Sequence, residues 1–84
     1  MFKVIYKKKA LKGLRKMPSK VATQFVGAFD KLAEDCRIGL NIKPLIGRDG
    51  YRLRIGNYRT IYTVDNGQLI ILVLDAGPRG DIYK

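Results

Sequence analysis

No histidine occurs among the 84 residues, and cysteine occurs once, at Cys36. That leaves no Ser-His or Cys-His nucleophile pair, no internal disulfide and no plausible zinc site. Cys36 reads as a buried apolar residue, and a chain without disulfides suits a reducing compartment. No apolar run approaches the ~18 residues of a membrane span. The opening MFKVIYKKKALKGL also has no charged stretch ahead of an apolar core, as a secretory leader would. The expectation is a cytoplasmic protein, neither exported nor membrane-spanning. Repeats, low-complexity stretches and Ser/Gly/Pro-rich linkers are missing too, which predicts a single domain over 1–84 with no metal and no cofactor.

Acidic residues are few: 7 Asp and Glu stand against 17 Lys and Arg, a formal net charge of +10. An excess of this size predicts a polyanion as partner. The plain alternative is a solubilising excess of lysine, and the placement of the arginines must decide between them. Apolar residues make up 46 % of the chain, ordinary globular usage rather than the composition of disorder. The chain should fold by itself, although a domain this small buries only about 60–65 % of its unfolded surface.

Phe2–Tyr6 is short and rich in β-formers, and reads as a first strand. From Lys7 to Met17 the apolar residues Ala10, Leu11, Leu14 and Met17 recur at helical spacing, with Lys8, Lys9, Lys12, Arg15 and Lys16 elsewhere on the wheel. Pro18-Ser19 breaks this amphipathic helix, and Ser19 is placed to cap a second one. The stripe Val21, Phe25, Ala28, Phe29, Leu32 and Cys36 carries that helix to about Arg37, with Gly39 as terminator. Leu40–Gly50, with its Pro and Gly residues, reads as a loop. The period then changes to two. Tyr51–Ile55 and Tyr58–Val64 flank Gly56-Asn57, a pair suited to a type I′ or II′ turn, and Asn66-Gly67 precedes a third strand, Gln68–Leu74. Its unbroken apolar run predicts a central strand buried on both faces, with the first strand beside it. The class is α+β: an N-terminal strand, an αα-hairpin, then a three-stranded antiparallel meander, giving a four-stranded sheet packed by two helices. The tail is Asp75–Lys84.

Alternation puts Tyr51, Leu53 and Ile55 on one face of the first meander strand, and Arg52 and Arg54 on the other. With a two-residue turn, Ile55 pairs with Tyr58 and Arg54 lies directly opposite Arg59. Like charges placed so are destabilising. A fold serving only its own stability would avoid the pair, whereas a site gathering phosphate oxygens would use it, because guanidinium binds them bidentately. Ile61 and Leu72 should share the face as an apolar floor. The lysines of the first helix carry less weight, since such a run is usually a solvated face. Tyr51, Tyr58, Tyr62, Ile55 and Ile61 read as core or platform.

The run Tyr51-Arg52-Leu53-Arg54-Ile55-Gly56-Asn57-Tyr58-Arg59-Thr60-Ile61-Tyr62, followed by an apolar strand and Ala76-Gly77-Pro78-Arg79-Gly80-Asp81-Ile82-Tyr83, resembles the RelE/ParE toxin superfamily. Ala10-Leu11-Lys12-Gly13-Leu14 and Lys43-Pro44-Leu45 are similar to it as well. The resemblance implies a RelE-like fold and the toxin of a type II toxin–antitoxin module. For its RelE-like branch it implies a ribosome-dependent endoribonuclease that cleaves messenger RNA in the 30S A site and so inhibits translation. The alternatives are a ParE-like inhibitor of DNA gyrase without nuclease activity, or a basic RNA-binding module without toxicity. Carried over by motif, the basic site residues are Arg52, Arg54, Arg59 and Arg79, and the C-terminal tyrosine is Tyr83, which favours the ribonuclease branch. The implied partners are a cognate antitoxin, forming a hetero-oligomer and covering the basic site, and the ribosome with its message. Arg stands at two positions where some members have Lys, and Pro78 where many have His or another basic residue.

Metal-free RNA cleavage needs the 2′-hydroxyl deprotonated, the phosphate's growing charge stabilised and the 5′-oxygen protonated as it leaves. The four arginines suit the second task but cannot act as bases, since a guanidinium is effectively always protonated. Tyr83 is the candidate for the first, because neighbouring cations favour its phenolate. Asp81 is held in reserve, and the alternative for Tyr83 is that its ring only packs on the sheet.

Overall fold

A computed structural model of the protein describes residues 1–78. The elements run β1 (Lys3–Tyr6), α1 (Lys8–Arg15), α2 (Ser19–Ala33), β2 (Asn41–Pro44), β3 (Tyr51–Ile55), β4 (Tyr58–Asp65) and β5 (Ile70–Pro78). They form one sheet in the order β1-β5-β4-β3-β2, with β1 parallel to β5 and the other neighbours antiparallel. The α+β class is as the pattern predicts, but the sheet has five strands rather than four. The extra strand is β2, inside the segment read as a loop. Among the described residues no helix is long and apolar enough to cross a membrane.

Both helices lie on one face of the sheet, and their apolar stripes show why. Ala10, Leu14 and Met17 from the first helical segment, and Phe25, Ala28, Phe29 and Leu32 from α2, form one buried cluster with Leu53, Tyr62, Ile71, Val73 and Ala76 of the sheet. Phe25, Phe29, Leu53 and Val73 are wholly buried, each worth roughly 1.5–3 kcal/mol relative to exposure. Phe29 sits edge-on between Tyr6 (5.9 Å) and Tyr62 (5.4 Å), and Tyr62 stacks on Tyr51 at 5.5 Å. Such pairs add to the area term.

Several local expectations need correction. Ser19 is the first helical residue, not a side-chain cap: Pro18 holds the N-cap position, and its carbonyl accepts bonds from the N–H groups of Val21 (2.9 Å) and Ala22 (3.1 Å). The helix stops at Ala33, short of Arg37, because Asp35 turns into the left-handed region (φ 60°). The Cys36 N–H then bonds to the Lys31 carbonyl and the Asp35 N–H to that of Leu32, both at 2.9 Å. This is a Schellman closure built on Asp rather than Gly, so Gly39 does not end the helix. Cys36, beyond the helix, is half-buried rather than buried.

The apolar run of β5 is not buried on both faces either. Ile71 and Val73 are buried, while Leu72 and Leu74 are half-buried, since the helices cover only one side. The strand also continues to Pro78, through what reads in sequence as the tail. Its pairing passes from Val73 opposite Tyr62 to Asp75 opposite Ile61, leaving Leu74 as the extra residue of a bulge. β1 pairs with β5 only as far as Val73, and α1 packs on the stretch beyond. The approach is close: a Cβ on Gly13 would collide with the Ala76 carbonyl.

Candidate functional site

The side of the sheet away from the core helices carries the arginines. The hairpin register places Arg54 opposite Arg59 and Ile55 opposite Tyr58, as the two-residue turn requires. Gly56 has a positive φ of 58° and Asn57 does not, the type II′ arrangement of the two open in sequence. β2 then extends the rows. One row across the sheet reads Asn41, Arg54, Arg59, Gly77, and the next reads Lys43, Arg52, Ile61, Asp75. Directly opposed residues have Cβ atoms about 5 Å apart, so four cationic side chains share one compact patch. Gly77 closes the first row without a side chain.

Burial sharpens the electrostatics. Arg52 and Arg59 are 4 % and 3 % exposed, and Ile61, on the same side, is 1 % exposed and supplies the apolar floor. Leu72 adds only a half-buried margin. Arg52 donates from Nη2 to Asn41 Oδ1 at 3.1 Å, and its buried Nε has no hydrogen-bond partner among the described residues. An unmet donor on a buried cation is costly, and a phosphate oxygen would meet it. Asp75, the acid in these rows, is engaged elsewhere: Oδ2 lies 3.2 Å from Lys9 Nζ, and Oδ1 accepts the Ala76 N–H at 2.9 Å.

Arg52, Arg54 and Arg59 therefore come together. Arg79 and Tyr83, with the reserve Asp81, lie outside the described residues. Asn41 and Lys43 were not legible as part of this face, because a four-residue strand ending in Pro44 leaves too little alternation to separate it from a loop. Tyr51, Tyr58, Tyr62 and Ile55 belong to the helix-side core or pack against it, whereas Ile61 lies among the arginines. Burial pushes the Tyr62 hydroxyl up to about 12, with Arg37 partly opposing it, and burial raises that of Tyr6. Neither can furnish phenolate near neutrality. Among the described residues no three His, Cys, Asp or Glu side chains gather to hold a metal.

The family described as the ParE toxin of type II toxin–antitoxin systems, parDE, matches residues 4–83. The chain belongs to the RelE/ParE superfamily of toxins. Solved structures agree with this. The RelE–RelB complex of Pyrococcus horikoshii contains a chain 30 % identical to this toxin, with a TM-score of 0.78 over 95 % of this chain and 97 % of that one. The intact RelBE toxin–antitoxin complex of E. coli gives 27 % identity and a TM-score of 0.76, covering 93 % and 96 % of the two chains. The isolated E. coli RelE toxin gives 27 % and 0.76, covering 99 % and 92 %. Among curated protein sequences, none matches this toxin significantly. The protein is thus a toxin of a type II toxin–antitoxin system with a RelE-like fold.

Proposed function

We propose that this toxin is a metal-independent endoribonuclease that cleaves messenger RNA in the ribosomal A site and so halts translation. The observation that carries the reading is the register-enforced pair of Arg54 and Arg59 beside the buried Arg52, on a face with Lys43 at its margin. Guanidinium forks held by a rigid sheet are suited to the charge that builds on the equatorial phosphate oxygens during attack by the 2′-oxygen. Arg79 extends this set, and Tyr83, as phenolate, takes the proton from the 2′-hydroxyl, leaving Asp81 in reserve. The P–O5′ bond breaks as the 2′,3′-cyclic phosphate forms, and the departing 5′-oxygen takes its proton from water. With no histidine in the chain, the acid–base set is thin, and the ribosome supplies the orientation of the message. An antitoxin of the RelB kind neutralises the toxin by covering the arginine face; its acidic groups would meet the same donors.

The deciding experiment maps message ends on translating ribosomes given purified toxin, with naked RNA alongside. Cleavage confined to ribosome-bound message is expected, and equal rates on both would refute ribosome dependence. Tyr83→Phe should slow single-turnover cleavage by about 10²–10⁴-fold with ribosome affinity kept. An unchanged rate would reduce Tyr83 to packing. The matching family is described by its ParE toxins, which favours gyrase inhibition as the second reading. Loss of supercoiling with intact translation would select it.

A further inference from the structure

A second basic site lies on the opposite flank of β5, where α1 packs on its final residues. Lys9, Lys12 and Lys16 fall on one helical face and line a groove of about 560 Å³, whose other side is formed by Tyr58, Gly77 and Pro78. The three lysines span about 10 Å along the axis. Asp75 offsets one of them through its ion pair with Lys9, and among the described residues Lys12 and Lys16 have no acidic partner. Tyr58 is half-buried: it packs against the core and also lines the groove. The groove also meets the arginine face. Gly77 pairs with Arg59 and Pro78 with Tyr58, and Gly77 has no side chain to raise a wall between them.

Lysine ammonium groups bind phosphates as point charges, and an aromatic ring among cations is the platform on which an unpaired base stacks. An acidic peptide would use the charge but not the ring. We propose that this groove is a nucleic-acid subsite that holds single-stranded RNA next to the segment at the arginines. Lys12 and Lys16 take its phosphates, and one base lies on Tyr58. The inference rests on the reading of the toxin as RNA-directed.

The test is fluorescence anisotropy of the full-length toxin with a 2′-O-methyl oligonucleotide of about eight nucleotides, which the 2′-oxygen cannot cleave. The double variant Lys12→Gln/Lys16→Gln should bind about 10-fold more weakly, and its slope of log K against log salt should shrink by about 1.4, 0.7 for each lost phosphate contact. Lys20→Gln/Lys31→Gln, on the exposed face of α2 with the same net charge, should stay within about two-fold of the parent. Tyr58→Phe should bind as the parent does and Tyr58→Leu about 10-fold more weakly. Equal losses in the two lysine variants would overturn the groove in favour of bulk charge. Polyglutamate of equal charge binding as tightly as the oligonucleotide would overturn it in favour of an acidic protein segment. If the groove variant binds normally while the parent cuts ribosome-bound message, the subsite alone is wrong. If the groove variant loses binding while the parent cuts no message, the subsite stands and the ribonuclease reading falls.

Discussion

Gly13 and Gly27 both sit within helices, and helix propensity alone predicts that replacing either with Ala stabilises by about 1 kcal/mol. The structure separates them. Around Gly27 nothing lies within 4 Å of an added Cβ, so Gly27→Ala should gain the full propensity term. For a domain of this size that is a melting-temperature rise of about 4–8 °C. At Gly13 the new carbon would collide with the Ala76 carbonyl oxygen and come within 2.7 Å of its carbon and 3.1 Å of the Ala76 Cβ. Ordinary carbon–carbon contact begins near ~3.5 Å. The obstacle is the backbone of β5, held by β4 on its other side, so α1 must lift away and loosen Ala10 and Leu14 from the core. Overpacking costs about 1–3 kcal/mol and occasionally more, and a rigid backbone obstacle belongs at the upper end. Offset by the propensity gain, Gly13→Ala should lose about 2 kcal/mol. Urea unfolding of the two variants beside the parent gives the comparison as midpoints with unchanged slopes. A Gly13→Ala protein as stable as the parent would refute the account of how α1 docks, and with it the width of the lysine groove.

Tyr62 makes stability fall in alkali: its hydroxyl is pushed up from 10.0 to about 12 in the folded chain. Between those values the unfolded chain releases a proton that the folded chain keeps. Stability contributed below pH 10 is therefore lost as pH rises towards 12, by up to roughly 3 kcal/mol. Tyr62→Phe should flatten that limb in urea titrations between pH 10.0 and about 12, and an identical limb in the variant would exclude Tyr62 as its source. Arg59→Gln should lower single-turnover cleavage on programmed ribosomes by about 10²-fold, and Arg59→Lys, which keeps the charge without the fork, by less. Equal rates in Arg59→Gln and the parent would remove Arg59 from the site. Leu53→Ala, at a wholly buried position, should cost about 2–5 kcal/mol by urea denaturation.

The meander and its arginine pair could be read from the sequence because they rest on local rules. Strict alternation in Tyr51–Ile55 assigns faces, and a two-residue turn at Gly56-Asn57 leaves one register, so Arg54 opposite Arg59 follows without knowledge of the rest of the chain. The two helices followed from their apolar stripes for the same reason. What was misread depended on contacts distant in sequence. Asn41–Pro44 becomes a strand only because β3 offers it an edge, and that pairing brings Asn41 and Lys43 to the arginines. Leu72 and Leu74 are apolar like their neighbours, but helices cover only one side of β5, so composition could not tell two buried faces from one. Asp35 closes α2 in a conformation that costs a non-glycine residue energy, a choice set by the Schellman bonds formed there rather than by propensity. Gly13 had no local reason at all. The sequence by itself determined the class, the helical stripes and the juxtaposed arginines, because these follow from periodicity and turn length. Tertiary structure alone decided the fifth strand, the buried state of Arg52 and Arg59, and the groove in which three surface lysines meet Tyr58, because burial and edge pairing depend on which distant segments pack together.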